Sequence, residues 1–126
     1  MAELLRQVVA VLNRLIHLEH DAIDACRFAV GGTTDRRDRA RFSSWTECHR
    51  RHVEELASLV RSLGGEPAPR VLRVSWPSFS QEIVYAVHRR IASAYAEAAS
   101  QPGIPVDVAA MLERTLAEER ELAPRD

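Results

Sequence analysis

Five residues of this chain combine a type that does chemistry with a position where such types are costly: Glu19, His49, His52, His88 and Glu119. Projected at about 100° per residue, each falls on an apolar helical stripe instead of a polar one. Glu19 lies one turn from both Ile16 and Ile23, whereas His17, His20 and Asp24 project sideways or outward. His49 and His52 sit between Trp45 and Leu56, and imidazoles at i and i+3 can address one ion. His88 occupies the stripe between Val84 and Ile91. Glu119 falls among Leu112, Thr115 and Leu122, with Glu118 at the edge of that face as the other registration and Glu121 outward. A buried, unpaired carboxylate costs several kcal/mol, so Glu19 among imidazoles implies either a metal shell or a mutually hydrogen-bonded polar core. One inward histidine is more often a hydrogen-bonded core residue than a ligand. Five such residues from four elements favour convergence on one point.

Four helices must do the positioning. Apolar residues at Leu5, Val8, Val9, Leu12, Leu15, Ile16, Ile23, Cys26 and Val30 repeat with helical spacing and predict a helix over about 2–30. Gly31-Gly32-Thr33-Thr34-Asp35 is expected to break it and cap the next. Phe42, Trp45, Val53, Leu56, Leu59, Val60 and Leu63 predict a second helix over about 36–64, stopped by Gly64-Gly65 and Pro67. A third, about 78–100, starts at a Ser78 or Ser80 cap and carries Val84, Val87, Ile91, Tyr95 and Ala98. The fourth, about 105–122, opens with Pro105 and Asp107 and presents Val108, Met111, Leu112, Thr115 and Leu122. Between the second and third, the stretch GGEPAPRVLRVSWPS reads as an extended connection. Roughly thirteen extended residues reach about 43 Å, close to the height of the first helix.

The expected fold is therefore all-α: a four-helix bundle of two helical hairpins joined by one long crossover, with residues 1–126 forming a single domain. Folding the first hairpin about Thr33 brings Glu19 opposite residues 47–49, and folding the second about Gly103 brings His88 opposite residues 118–119. Both sets meet near mid-height. The same folding puts Cys26 opposite about residue 41, roughly 10 Å of helix from Cys48, so no disulfide is expected between the two cysteines.

Composition narrows the function classes. Hydrophobic residues make up 46% of the chain, charged residues 28%, and the formal net charge is −1, which exerts no general attraction on nucleic acid or anionic membrane. Arg36, Arg37, Arg39, Arg41, Arg50 and Arg51 are expected to form a solvated face with Asp35, Asp38, Glu47 and Glu54, and nucleic acid is not an expected partner. No segment offers the roughly 18 to 20 consecutive apolar residues of a membrane span, and MAELLRQVVAVLNRL lacks the layout of a signal peptide. A cytoplasmic protein with reduced cysteines is the expectation. No nucleophile with an adjacent base, phosphate-cradling glycine loop or cofactor fingerprint stands out, so any enzymatic role depends on metal.

The stretch LNRLIHLEHDAIDACRFAV (Leu12 to Val30) resembles the first helix of bacterioferritins and their relatives, with Glu19 at the interval from Leu-Asn where that family has a glutamate. HVEELASLVRSLGGEP (His52 to Pro67) resembles the end of their second helix, and the chain also looks like a small bacterial ferritin-like family of unassigned function. The di-metal centre of ferritin-like proteins uses one glutamate from each of the first and third helices and a Glu-x-x-His pair from each of the others. The resemblance implies that Glu19 and His52 match ligands and that Glu119 matches the fourth-helix glutamate. His49 stands in place of the second-helix glutamate, His88 in place of the third-helix one, and Leu122 in place of the fourth-helix histidine. Cys26 takes a position where the resembled proteins often carry tyrosine, or is simply a small buried residue. Two carboxylates do not supply the bridging charge of a full di-iron site, so one divalent ion, Fe(II), Mn(II) or Zn(II), is implied instead. A homodimer paired along a helix face is a further expectation. The alternative is a degenerate bundle without metal, serving as a binding or assembly module through Trp76 and Val71 to Val74.

Overall fold

The structure is a computed structural model, described here over residues 2–71 and 81–122. The described residues form four helices: α1 (Ala2–Gly32), α2 (Arg36–Ser62), α3 (Gln81–Ala99) and α4 (Val106–Leu122). They pack as two hairpins, α1 with α2 and α3 with α4, and α1 also packs on α3. No helix among the described residues is long and apolar enough to cross a membrane.

The helix ends follow from local chemistry. Asp35 caps α2, its carboxylate accepting from the Asp38 amide at 3.0 Å. At the other end Gly64 adopts φ +84°, the Gly65 amide donates to the Val60 carbonyl and the Gly64 amide to that of Arg61. This left-handed glycine cap satisfies carbonyls that the helix leaves unpaired. Gly31 and Gly32 behave differently from expectation, because α1 continues through both and the break falls at Thr33-Thr34. Neither glycine takes a positive φ, and in a last turn the helical conformation costs a glycine little that the solvated end does not already lose.

Chain direction is fixed by two layers of contact. At one end Cys26 and Ala29 of α1, Phe42 of α2 and Val84 of α3 form a common cluster. Farther along, Tyr95 of α3 reaches Glu19 of α1, and the turn at Gly103 comes close to Leu4. Thus α2 and α3 both start at the same end, and α1 and α4 run the other way. Helices in this order cannot be joined by a short turn between α2 and α3. The described part of the connection climbs along α1. A Cβ on Gly65 would meet Val9 at 2.8 Å, Asn13 donates to the Glu66 carbonyl at 3.0 Å and accepts from the Ala68 amide at 2.7 Å, and Arg70 pairs with Asp24 at 2.6 Å. The expected Ser78 or Ser80 cap and the contact surface at Trp76 and 72–74 lie outside the described residues; Val71 is exposed.

The main core contains Leu12, Ile16, Leu56, Ile91 and Leu112, each fully buried. Burying one such side chain stabilises by about 1.5–3 kcal/mol. That apolar frame, above and below mid-height, is what allows a polar cluster to be held without water.

Candidate metal centre

All five residues singled out from the sequence, Glu19, His49, His52, His88 and Glu119, have 0% exposure. Four of them, Glu19, His49, His52 and Glu119, bring ligand atoms within 4.8 Å of one another. His49 Nδ1 lies 2.6 Å from Glu19 Oε1 and 3.5 Å from Glu119 Oε1. His52 Nδ1 lies 2.9 Å from both Glu19 Oε2 and Glu119 Oε1. Helical spacing does this: His49 and His52 are one turn apart on α2, and their Nδ1 atoms face the carboxylates offered by α1 and α4. Glu118 is the outer of the two adjacent glutamates, with its side chain 34% exposed.

His88 stands behind His49. Its Nδ1 is 2.7 Å from the Val84 carbonyl, which can only accept, so Nδ1 carries the proton. Its Nε2 is then the acceptor in the 2.7 Å contact with His49 Nε2. Trp45 covers the far side of His88, edge on, with centroids 4.8 Å apart. The protons of the chain are thereby ordered: His88 donates to backbone, His49 donates to His88, and His49 Nδ1–H points to Glu19.

Three further residues touch the cluster: Tyr95, Cys48 and Glu118. Tyr95, read only as part of an apolar stripe, donates its hydroxyl to Glu19 Oε2 at 2.8 Å. It lies seven residues beyond His88, two turns along the same face, and that spacing was the available signal. Cys48 and Glu118 approach the opposite edge of His52: the sulfur lies 3.7 Å from Nε2 and Glu118 Oε2 lies 3.2 Å from it.

The electrostatics follow from burial set against pairing. Burial alone would lower the His49 pKa, but hydrogen bonds to the Glu119 and Glu19 carboxylates outweigh it and push it up to about 9. His52 is raised well above the usual histidine range, its contacts with Cys48, Glu119 and Glu19 overcoming desolvation. His88 moves the other way, down to about 4, through burial and the neighbouring charge on His49. Burial raises Glu19, against the hydrogen bonds from His49 and His52; for Glu119 the same hydrogen bonds overcome desolvation and hold it far below the usual carboxylate range. With both glutamates ionised, the two carboxylates and two imidazolium rings sum to zero charge.

No protein-family model matches the chain, and no curated protein or solved structure matches it either.

Of the buried polar atoms without a partner among the described residues, one belongs to the cluster. Glu119 Oε2 is buried without a hydrogen-bond partner. A buried carboxylate oxygen with nothing to accept from is costly, and a cation held by the four groups would supply its missing partner. Cys26 and Cys48 are free thiols; burial, and then the Glu119 and Glu19 charges, push the Cys26 thiol up to about 12, so it stays protonated. On the surface, Arg41 pairs with Asp38, Arg50 with Glu47, and Arg51 with Glu55 and Glu118.

Proposed function

We propose that this chain is a ferritin-like protein that holds a single divalent cation, Fe(II), Mn(II) or Zn(II), with Glu19, His49, His52 and Glu119 as ligands. The observation carrying this reading is the four-residue group of two carboxylates and two imidazoles, fully buried, with ligand atoms within 4.8 Å. The family relationship draws support from two helices running in the same direction across a long link, as ferritin-like connections require. Charge balance supports it too. A divalent ion entering the cluster replaces the Nδ1 protons of His49 and His52, so the core's formal charge is unchanged and no ion is buried uncompensated.

His88 takes a different place in this reading from the ligand role drawn for it above. It accepts the His49 Nε2 proton and so fixes the ring that offers Nδ1 inward, an arrangement that orients metal-binding histidines. The ion would supply Lewis acidity or redox capacity. The residues supply a dry site with fixed donors.

A second reading rests on a specific observation: every ring nitrogen of His49, His52 and His88 has a hydrogen-bonding neighbour within the chain. Protons alone could satisfy the rings, leaving a polar core in a bundle that acts as a binding module. Melting temperature separates the two. Fe(II), Mn(II) or Zn(II) should raise that of the chelator-stripped protein, with a stabilisation of about 2.7 kcal/mol once free ion reaches one hundred times Kd, and the His49→Leu, His52→Leu double variant should lose the response. If all three ions leave the wild-type midpoint unchanged, the polar-core reading stands instead.

A further inference from the structure

We propose that Cys48, His52 and Glu118 form a second metal site, facing outward between α2 and α4, which takes a thiophilic divalent cation such as zinc. Their ligand atoms lie within 4.8 Å of one another. Cys48 and His52 are one turn apart on α2, with sulfur and Nε2 3.7 Å apart, and Glu118 Oε2 arrives from α4 at 3.2 Å from the same nitrogen. This is a thiol, an imidazole and a carboxylate aimed at one point. Zinc sites commonly use three such ligands and leave a fourth position to water.

The position is accessible, unlike the inner cluster. Cys48 is half-buried, the Glu118 side chain is 34% exposed, and both line a surface depression together with Arg51 and Glu121. A cation already occupies it: the Arg51 guanidinium donates to the Cys48 sulfur at 3.7 Å and to the Glu118 carboxylate. Its side chain is 55% exposed, so it can swing into solvent and leave the two groups to an ion. On binding, the metal takes the place of the Cys48 thiol proton and the His52 Nε2 proton, both released to solvent. A divalent ion, one thiolate, one carboxylate and a neutral imidazole then sum to zero.

The two sites meet opposite edges of one ring, Nδ1 inward and Nε2 outward. A neutral imidazole has a single lone pair, so His52 serves one ion at a time. The outer site needs no metal in the inner one, and ions at the two sites compete for the His52 ring.

Cobalt(II), a spectroscopic stand-in for zinc, tests this on the full chain stripped with chelator and kept under a non-thiol reductant. The wild-type protein should gain a near-ultraviolet thiolate-to-cobalt charge-transfer band that Zn(II) abolishes. The band should be lost in Cys48→Ser, kept in Cys26→Ser, and need several-fold more cobalt in Glu118→Gln. Absence of the band in the wild-type protein overturns the proposal. So does a band that survives Cys48→Ser and vanishes in Cys26→Ser, which would place the ion with the buried Cys26, His49 and His88 instead. Mn(II), which disfavours thiolate, separates the sites: a melting shift with Mn(II) but no cobalt band overturns only the outer site, and the band without any Fe(II) or Mn(II) shift counts only against the inner one.

Discussion

His49 has two hydrogen-bonded edges, and each edge sets a different property. Nδ1 faces Glu19 and Glu119, while Nε2 donates to His88, whose own Nδ1 is anchored on the Val84 carbonyl. If His88 orients the ring, its loss should weaken metal binding without removing a ligand. His88→Leu is expected to lower affinity by about 10- to 100-fold, and His88→Gln, whose amide oxygen can accept from His49, should recover part of it. Unchanged affinity in the leucine variant, measured by competition with a chelating dye, would show that the ring needs no anchor. Complete loss of binding would return His88 to the ligand shell. The inward placement of Glu19, His49, His52, His88 and Glu119 was legible from helical periodicity, because a 3.6-residue repeat fixes which face a residue takes. Which nitrogen meets which oxygen was not legible. That depends on ring rotation and on the angle between helices, and neither leaves a trace in spacing. Tyr95 was hidden for another reason: a buried tyrosine on an apolar stripe declares its ring, and only a structure shows where its hydroxyl goes.

At the scale of elements, two glycine pairs that look alike in sequence act in opposite ways. Gly64 sits at φ +84° with nothing within 4 Å of an added Cβ, whereas Gly31 lies inside α1, has no positive φ and is equally open. Gly64→Ala should therefore destabilise by about 1–2 kcal/mol through left-handed strain. Gly31→Ala should stabilise by roughly 0.4–1 kcal/mol by reducing the freedom of the unfolded chain. Urea unfolding of both variants checks the signs, and equal signs would contradict the assigned helix ends. Sequence alone treated both pairs as stops because glycine permits a left-handed cap without requiring one. The crossover was legible from its length and prolines. Its path was not, since the contacts that pin it, Asn13 to Glu66 and Ala68, and Arg70 to Asp24, join residues 46 to 55 positions apart. Asn13 fastens the link to α1 through both ends of its amide, a role that its place in the sequence does not reveal.

The whole molecule feels the cluster through proton linkage. An unfolded histidine titrates near 6.5. His49 is raised to about 9 in the fold, so its stabilisation is complete below about pH 6.5 and is lost as pH climbs through 9. His88 is lowered to about 4, so its neutral form favours folding above about pH 6.5, and that advantage is lost as pH falls through 4. Through these rings the metal-free protein should lose stability on both sides of about pH 6.5, on the order of 3 kcal/mol on the acid side and more on the alkaline side, where the raised His52 adds to His49. Denaturant midpoints between pH 4 and 9.5 measure this, and a flat profile would mean the rings are not held in these charge states. A bound divalent ion removes the Nδ1 proton of His49 and should flatten the alkaline limb. The central claim is that Glu19, His49, His52 and Glu119 together hold one ion. Its most direct test is equilibrium dialysis of the chelator-stripped protein against Mn(II), followed by elemental analysis of wild-type chain and of Glu19→Gln and Glu119→Gln variants. The expected result is one manganese per wild-type chain, with binding abolished or greatly weakened in both variants. A wild-type chain that retains no manganese, or variants that retain it undiminished, would contradict the account.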